Sequence, residues 1–255
     1  MRIEPKVKWV STIKILLWDL ETSPHLANVW SLWDQNVPLV RLRETGEVIC
    51  FASQWLDSKK VEFYSTHHHG KEAMLQAAWD LMNEADALVS WNGKSFDTKT
   101  MHKEFLLAGM SPPSPSKEID LMLVAKKQFR LVSNKLEYVS KALGLEGKAQ
   151  HEGFELWLSC MAGDDRAWGR MKRYNIQDVR LLKDIYYKLQ PWIVNHPSVA
   201  LYDDHEGCPS CGSENLRKEG FAYTSLGKFQ RYVCIDCGRW SKSGKRIAGV
   251  ELRSA

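Results

Sequence analysis

The sequence predicts an α/β domain on a mixed, partly antiparallel sheet, followed by a small cysteine-bearing module. Three observations carry that expectation. Runs rich in Val, Ile, Trp, Phe and Tyr recur over the first 90 residues, helical spacing dominates from Asp97 to Gln190, and four of the six cysteines crowd into the last fifth of the chain. Hydrophobic residues at 44% and charged residues at 26% are the balance of a chain with a core, so wholesale disorder is excluded.

In chain order, Ile13 to Asp19 reads as a buried strand running into the turn-prone Thr22-Ser23-Pro24. Ala27 to Trp33, Val48 to Leu56 and Val61 to Tyr64 are the next three strands, and Ala87 to Ser90 is the fifth, closed by Asn92-Gly93. Trp18, Trp30, Trp33 and Trp55, with Trp9, fall in strand territory and are expected to lie in the core or cover the sheet rather than stack on bases. His67-His68-His69 reads as a solvated loop before a helix over Lys71–Glu84, whose apolar spacing is Met74, Ala77, Leu81. Further helices are expected at 97–108, 120–129, 135–143, 154–161 and 165–190, the last stopped by Pro191. Asn195 to Gly207 has the composition of a linker, which divides the chain into 1–194, a linker at 195–205, and 206–255. No apolar run reaches the ~18 residues of a membrane helix, and the charged N-terminus lacks a signal peptide's apolar core, so a cytoplasmic protein is expected.

Charge is uneven along the chain. From His205 onward nine Lys/Arg face five Asp/Glu, whereas the preceding residues balance at 26 of each. The net +4 therefore belongs to the cysteine-bearing end, a pointer to an anionic partner there.

Three acidic motifs carry chemistry. Asp19-Leu20-Glu21 closes the first strand, and residues two apart on a strand share a face, so the two carboxylates sit side by side and repel unless a cation lies between them. Alone, Asp-x-Glu is common enough to be a solvated strand end. Asn92-x-x-x-Phe96-Asp97 follows the fifth strand, where the plain role of an Asp is to cap a helix. In the last helix the apolar stripe Met171, Tyr174, Asp178, Leu182, Ile185 puts Asp178 on the inward face, where an uncompensated carboxylate is costly.

Together, in this order and on these elements, the motifs resemble the DEDD family of 3′–5′ exonucleases of RNase H-like (DnaQ-like) fold. Tyr174-x-x-x-Asp178 is similar to the DEDDy branch, which includes the exonuclease domains of family-B DNA polymerases. Glu118-Ile119-Asp120-Leu121 looks like the middle of the same domains, and the resemblance spans about residues 12–192. It implies a mixed five-stranded sheet flanked by helices, and a two-metal-ion mechanism with Mg²⁺ or Mn²⁺, one ion activating water and the other stabilising the leaving oxygen. Asp19 would be shared by both ions, Glu21 and Asp178 would complete the nucleophile side, and Asp97 would hold the second ion. Tyr174 would orient the water, its phenol with an ordinary pKa being a poor base. Asn92 and Phe96 would bind the terminal nucleotides, with Lys148 a candidate for the scissile phosphate.

Cys208-x-x-Cys211 and Cys234-x-x-Cys237, separated by 22 residues, are a zinc pattern, and a reducing compartment argues against disulfides. The module resembles a zinc ribbon, with one structural Zn²⁺ and no open coordination position. Lys228, Arg231 and Arg239, interleaved with aromatics, make nucleic acid its expected ligand. A replication or recombination protein is the other partner the ribbon could serve. The expected function is thus a 3′–5′ exonuclease releasing 5′-mononucleotides from DNA, in repair or replication, bacterial or phage-encoded. The alternatives are a structure-specific endonuclease, a 3′–5′ exoribonuclease, or an inactive nucleic-acid-binding scaffold.

Overall fold

The computed structural model describes residues 12–33, 36–145, 153–203 and 205–252. They form two compact units, one from Ile15 to Ile185 and one from Tyr186 onward that also takes in Thr12–Lys14. Strand β1 (Ile15–Thr22) is apolar on both faces up to Asp19, the mark of a central strand, and Ile15, Leu16, Leu17, Trp18 and Leu20 are all buried. After a short ribbon of β2 (Leu26–Ala27) and β3 (Leu42–Glu44) come β4 (Val48–Trp55) and β5 (Glu62–Ser65). A helical turn α1 (Thr66–His69) leads into α2 (Lys71–Glu84), and β6 (Ala87–Ser90) is followed by α3 (Asp97–Leu107), β7 (Lys117–Asp120) and α4 (Leu121–Gln128). Helices α5 (Leu136–Ala142), α6 (Phe154–Met161) and the long α7 (Asp165–Leu189) complete this part of the chain.

The main sheet is five-stranded and mixed, in the order β5-β4-β1-β6-β7. β4 runs antiparallel to β1 and β5, while β1, β6 and β7 are parallel. The parallel strands therefore deliver their carboxyl ends (Asp19 to Glu21, Ser90 and Asp120) to one edge of the sheet, where open α/β sheets place ligands. One face of the sheet is closed by Met74, Leu75, Ala78 and Met82 of α2 with Met101 and Phe105 of α3, packed on Leu16, Trp18 and Leu20.

The structure corrects several expectations. Ala27–Trp33 does not form a sheet strand: beyond the two residues of β2 it is irregular, and Trp30 and Trp33 are 89% and 82% exposed rather than sheet cover. Strand preference expresses packing on a half-buried surface, and among the described residues the pairing with β3 stops at Ala27. Trp18 is in the core and Trp55 packs against it, while Trp9 lies outside the described residues. The fifth strand of the sheet is instead Lys117–Asp120, at the edge beside β6. Helix α4 begins only after it because the Asp120 carboxylate caps the amides of Met122 and Leu123.

The histidine run is a capped helical turn, not a loop. Ser65 accepts the His68 amide, and the His67 ring stacks on Trp168 at 5.2 Å and 9° with Nε2 2.8 Å from Asp165 Oδ1. The segment with linker composition holds a further turn, α8 (Val199–Tyr202), with Val199 and Ala200 buried and Thr12 bonded to the Tyr202 carbonyl. The second unit also contains a three-stranded antiparallel sheet of β8 (Leu216–Tyr223), β9 (Gly227–Cys234) and β10 (Trp240–Gly249), in the order β10-β9-β8. Among the described residues, no helix is long and apolar enough to cross a membrane.

Candidate active site

Asp19 and Glu21 lie on one face of β1, and α7 brings Asp178 to them. One carboxylate oxygen from each lies within 4.8 Å of the others. Asp178 is 3% exposed. Three carboxylates this close repel in a partly desolvated pocket, and a divalent cation relieves the repulsion. The donor set is all hard oxygen, which fits Mg²⁺ or Mn²⁺.

Tyr174, one turn before Asp178, is buried, packs edge-on against Trp157 and shares a hydrogen bond with Asp178. Burial, then the charges of Glu21, Asp178 and Asp19, push its phenol far above the ordinary value. That corrects the expectation of an ordinary pKa, and it rules out a base more firmly: Tyr174 is a permanent proton donor.

Asp97 stands slightly apart from the trio. It is the first residue of α3, 4% exposed, and its Oδ1 accepts the amide of Leu20, the residue between Asp19 and Glu21, at 3.3 Å. Burial raises its carboxyl to about 6, against the lowering pull of the Leu20 amide and its own, and Asp120 adds to the rise. A Cβ on Gly93 would run into the Ser90 hydroxyl and come 3.4 Å from Asp97 Oδ2, so the turn before α3 requires glycine there.

The raised carboxyl gives a pH prediction. The folded state binds this proton more tightly than the unfolded chain, whose Asp titrates near 3.9, so the group adds stability below pH ~4 that is lost as the pH rises through 6. Melting the metal-free protein at pH 5 and 7.5 beside Asp97→Asn is expected to show a differential gain at pH 5 of at most about 1.4 kcal/mol, absent in the variant. Divalent-ion affinity should move oppositely, about tenfold weaker at pH 5, because the ion and the proton compete.

Asn175 escaped the sequence reading. It is fully buried, and its Nδ2 donates to Asp19 Oδ2 at 2.7 Å and to the Asp19 carbonyl at 3.2 Å. It fixes the carboxylate that β1 presents, the part that residues behind the ligands play in metal sites. The signal was present, since Asn175 lies four residues after Met171 and three before Asp178, on the same inward stripe. Asp120 also does more than its motif suggested. Its Oδ1 accepts the amide of Asn92, whose φ of +70° is the one positive value among described non-glycine residues, and so holds the turn that launches Asp97.

The structure places the expected substrate contacts as follows. Asn92 accepts the Ser95 hydroxyl on its side-chain oxygen, and Phe96 is 47% exposed just before α3. Lys148 lies outside the described residues. Lys228 sits 3.8 Å over the Phe221 ring and Arg231 4.8 Å over Trp240. Arg239 is turned onto the chain itself, with Nη1 donating to the carbonyls of Pro191 and Ile193 at 2.9 Å each, which fixes its guanidinium there.

In the second unit the four cysteines converge. Gly212 and Gly238, both with φ near +75°, follow the two pairs and donate to the Cys208 and Cys234 carbonyls, closing two equivalent knuckle turns. Sγ separations are 3.6 Å for Cys208–Cys237 and 3.7 Å for Cys211–Cys234. A tetrahedron with Zn–S bonds of about 2.3 Å has edges of about 3.8 Å, whereas a disulfide needs about 2.05 Å. The four thiols thus fit a tetrahedral thiolate-preferring ion. Hydrogen bonds from Cys211 and Cys237 hold the Cys208 thiol well below its usual range, and the cost appears as a raised Cys211. Cys50 and Cys160 are buried with raised thiols, inert core residues.

Comparison with known proteins agrees with this fold. A family model of the RNase H superfamily matches residues 42–190, and the chain belongs to that superfamily. Among solved structures it is similar to the family B DNA polymerase of the hyperthermophilic archaeon Pyrobaculum calidifontis, at 17% identity and a TM-score of 0.53 over 70% of this chain. The chain spans about a quarter of that polymerase, 25% of its length. No curated protein matches.

Proposed function

We propose that this chain is a metal-dependent 3′–5′ exonuclease of the DEDDy type, acting on single-stranded or frayed DNA ends and releasing 5′-mononucleotides. A zinc ribbon formed by the cysteine-bearing module assists in holding nucleic acid. The observation that carries the reading is the convergence of Asp19, Glu21 and Asp178 on one point, with Tyr174 bonded to Asp178 and Asp97 bonded to the strand between the first two. Membership in the RNase H superfamily and the likeness to a family B polymerase support a nuclease.

Asp19, Glu21 and Asp178 would hold one divalent ion, and Asp97 would help hold a second beside Asp19. Bound there, the ions supply charge stabilisation for in-line attack on an anionic phosphodiester. The chain's own residues do the positioning. Asn175 holds the Asp19 carboxylate in place through its amide. Tyr174, permanently protonated, keeps its hydrogen bond to Asp178 and would orient the attacking water without taking its proton. Phe96, half exposed beside Asp97, offers an apolar face to a terminal base.

Digestion of a 5′-labelled single-stranded DNA with Mg²⁺ or Mn²⁺ tests this. A ladder shortening stepwise from the 3′ end is the expected result. Immediate release of labelled mononucleotide would reverse the polarity, a few internal products or cutting of a circular strand would mean an endonuclease, and faster loss of a matched RNA would shift the substrate.

A further inference from the structure

Both faces of the three-stranded sheet carry cations over rings, but they differ in how those cations are held: on one, Lys228 is drawn onto Phe221 at 3.8 Å with Tyr223 at 5.9 Å, and on the other, cations and rings are spread along two strands. Residues paired across antiparallel strands point to the same side, and along a strand the sides alternate. Lys242 pairs with Arg231, Trp240 with Val233 and Arg246 with Phe229, so these residues share one face of β9 and β10. Lys228 and Tyr232, one position off, occupy the other face, where Lys218 pairs with Tyr232.

On the first face, cations and rings alternate from the β8–β9 hairpin end toward the cysteines. Arg246 lies across the glycine pair Gly227 and Gly249, where an added Cβ would come within 2.8 Å and 2.7 Å of its side chain. Next comes Phe229 with the Lys242 ammonium 4.8 Å from its centroid, then Trp240, half exposed, with Arg231 stacked at 4.8 Å. Arg231 is further oriented by donating from Nε to the Glu219 carbonyl at 2.9 Å. Stacking and the glycine seat restrain long side chains before any ligand arrives, which lowers the entropy cost of binding. Two residues of strand span about 6.8 Å, and a stripe of alternating charge and ring at that interval suits an extended strand of alternating phosphates and bases. A duplex would hide the bases from the rings. The carboxylate of Glu219, whose carbonyl Arg231 bonds, is engaged by Arg217 at 3.1 Å.

We infer that the face bearing Arg231, Lys242 and Arg246, and not the Lys228 face, binds single-stranded nucleic acid, with phosphates on the cations and bases against Trp240 and Phe229. The inference deepens the nuclease reading, but its test does not pass through catalysis.

The experiment uses full-length, zinc-loaded protein without added Mg²⁺ or Mn²⁺ and a fluorescent oligothymidylate, with anisotropy titrated over a range of salt. Arg231→Glu with Lys242→Glu is expected to weaken binding at least about tenfold and to lower the log K against log salt slope by about 1.4, two phosphates at about 0.7 each. Trp240→Ala should weaken it about fivefold or more with the slope unchanged, because stacking releases no counterions. Lys218→Glu on the opposite face should stay within about twofold. If the double variant loses zinc, Lys242→Gln alone decides, with about threefold weakening and a slope lower by about 0.7 expected. Parental binding by the zinc-loaded double variant or by Lys242→Gln would overturn the inference, as would an equal loss in Lys218→Glu. Failure of the nuclease reading would show separately, as intact DNA in the digestion assay alongside normal binding here.

Discussion

Asp178→Asn is expected to cut nucleic acid at least about a thousandfold more slowly while folding normally. A metal ligand that stabilises developing charge is worth several kcal/mol, and about 4 kcal/mol in the barrier is a factor near a thousand. The thermal behaviour should move the other way. Asp19, Glu21 and Asp178 are within 4.8 Å of one another, so removing one charge relieves repulsion, and the metal-free variant should melt higher than the metal-free parent. Mn²⁺ should stabilise the parent by about 2.7 kcal/mol at a hundred times its dissociation constant, a rise of several degrees, and should leave the variant nearly unmoved. Asn175→Ala makes the contrast: it keeps all the ligands but frees Asp19, and should cost about 10–100-fold in metal affinity or rate. If Asp178→Asn melts lower than the parent and Mn²⁺ still stabilises it, the carboxylate is part of the core and the metal-centre reading fails.

Cys234→Ser is expected to unfold the three-stranded sheet. Its strands are largely half-exposed, so their own burial contributes little, and a four-thiolate zinc site is worth about 10–16 kcal/mol of folding free energy. Hydrogen exchange should show β8, β9 and β10 losing protection while β1 and β4 keep theirs, and metal analysis should show loss of about one zinc per chain. A sheet that stays protected in a zinc-free variant would mean that its cation–ring stacks hold it together and that the cysteines do not need a metal.

The features legible in the sequence were those set by local chemistry. The apolar run into Asp19, the inward stripe of the last helix, the helix over Lys71–Glu84 and the paired cysteines each follow from residue spacing, and each stands in the structure. The carboxylates could be picked out because two adjacent charges on a strand and a charge on an apolar stripe are both expensive without a partner. Edge strand β7 was not legible, since four residues that pair with one neighbour carry too little pattern to separate them from the start of α4. Nor was the exposure of Trp30 and Trp33, because aromatic composition signals a strand only where a neighbouring strand exists.

By itself the sequence determined which groups carry charge and which elements bear them, because helix and strand periodicity fix the face on which a residue lies. Only the tertiary structure decided how those faces meet. Packing α7 beside β1 puts Asn175 on Asp19 and Asp178 near Glu21, contacts between residues more than 150 positions apart that no local spacing encodes. The same holds in the second unit, where strand pairing sets Lys242 of β10 opposite Arg231 of β9 and Arg246 opposite Phe229, and where Arg239 donates from Nη1 to the carbonyls of Pro191 and Ile193. Long-range pairing is chosen by the summed burial and hydrogen bonding of the whole fold, and that sum is not readable one segment at a time.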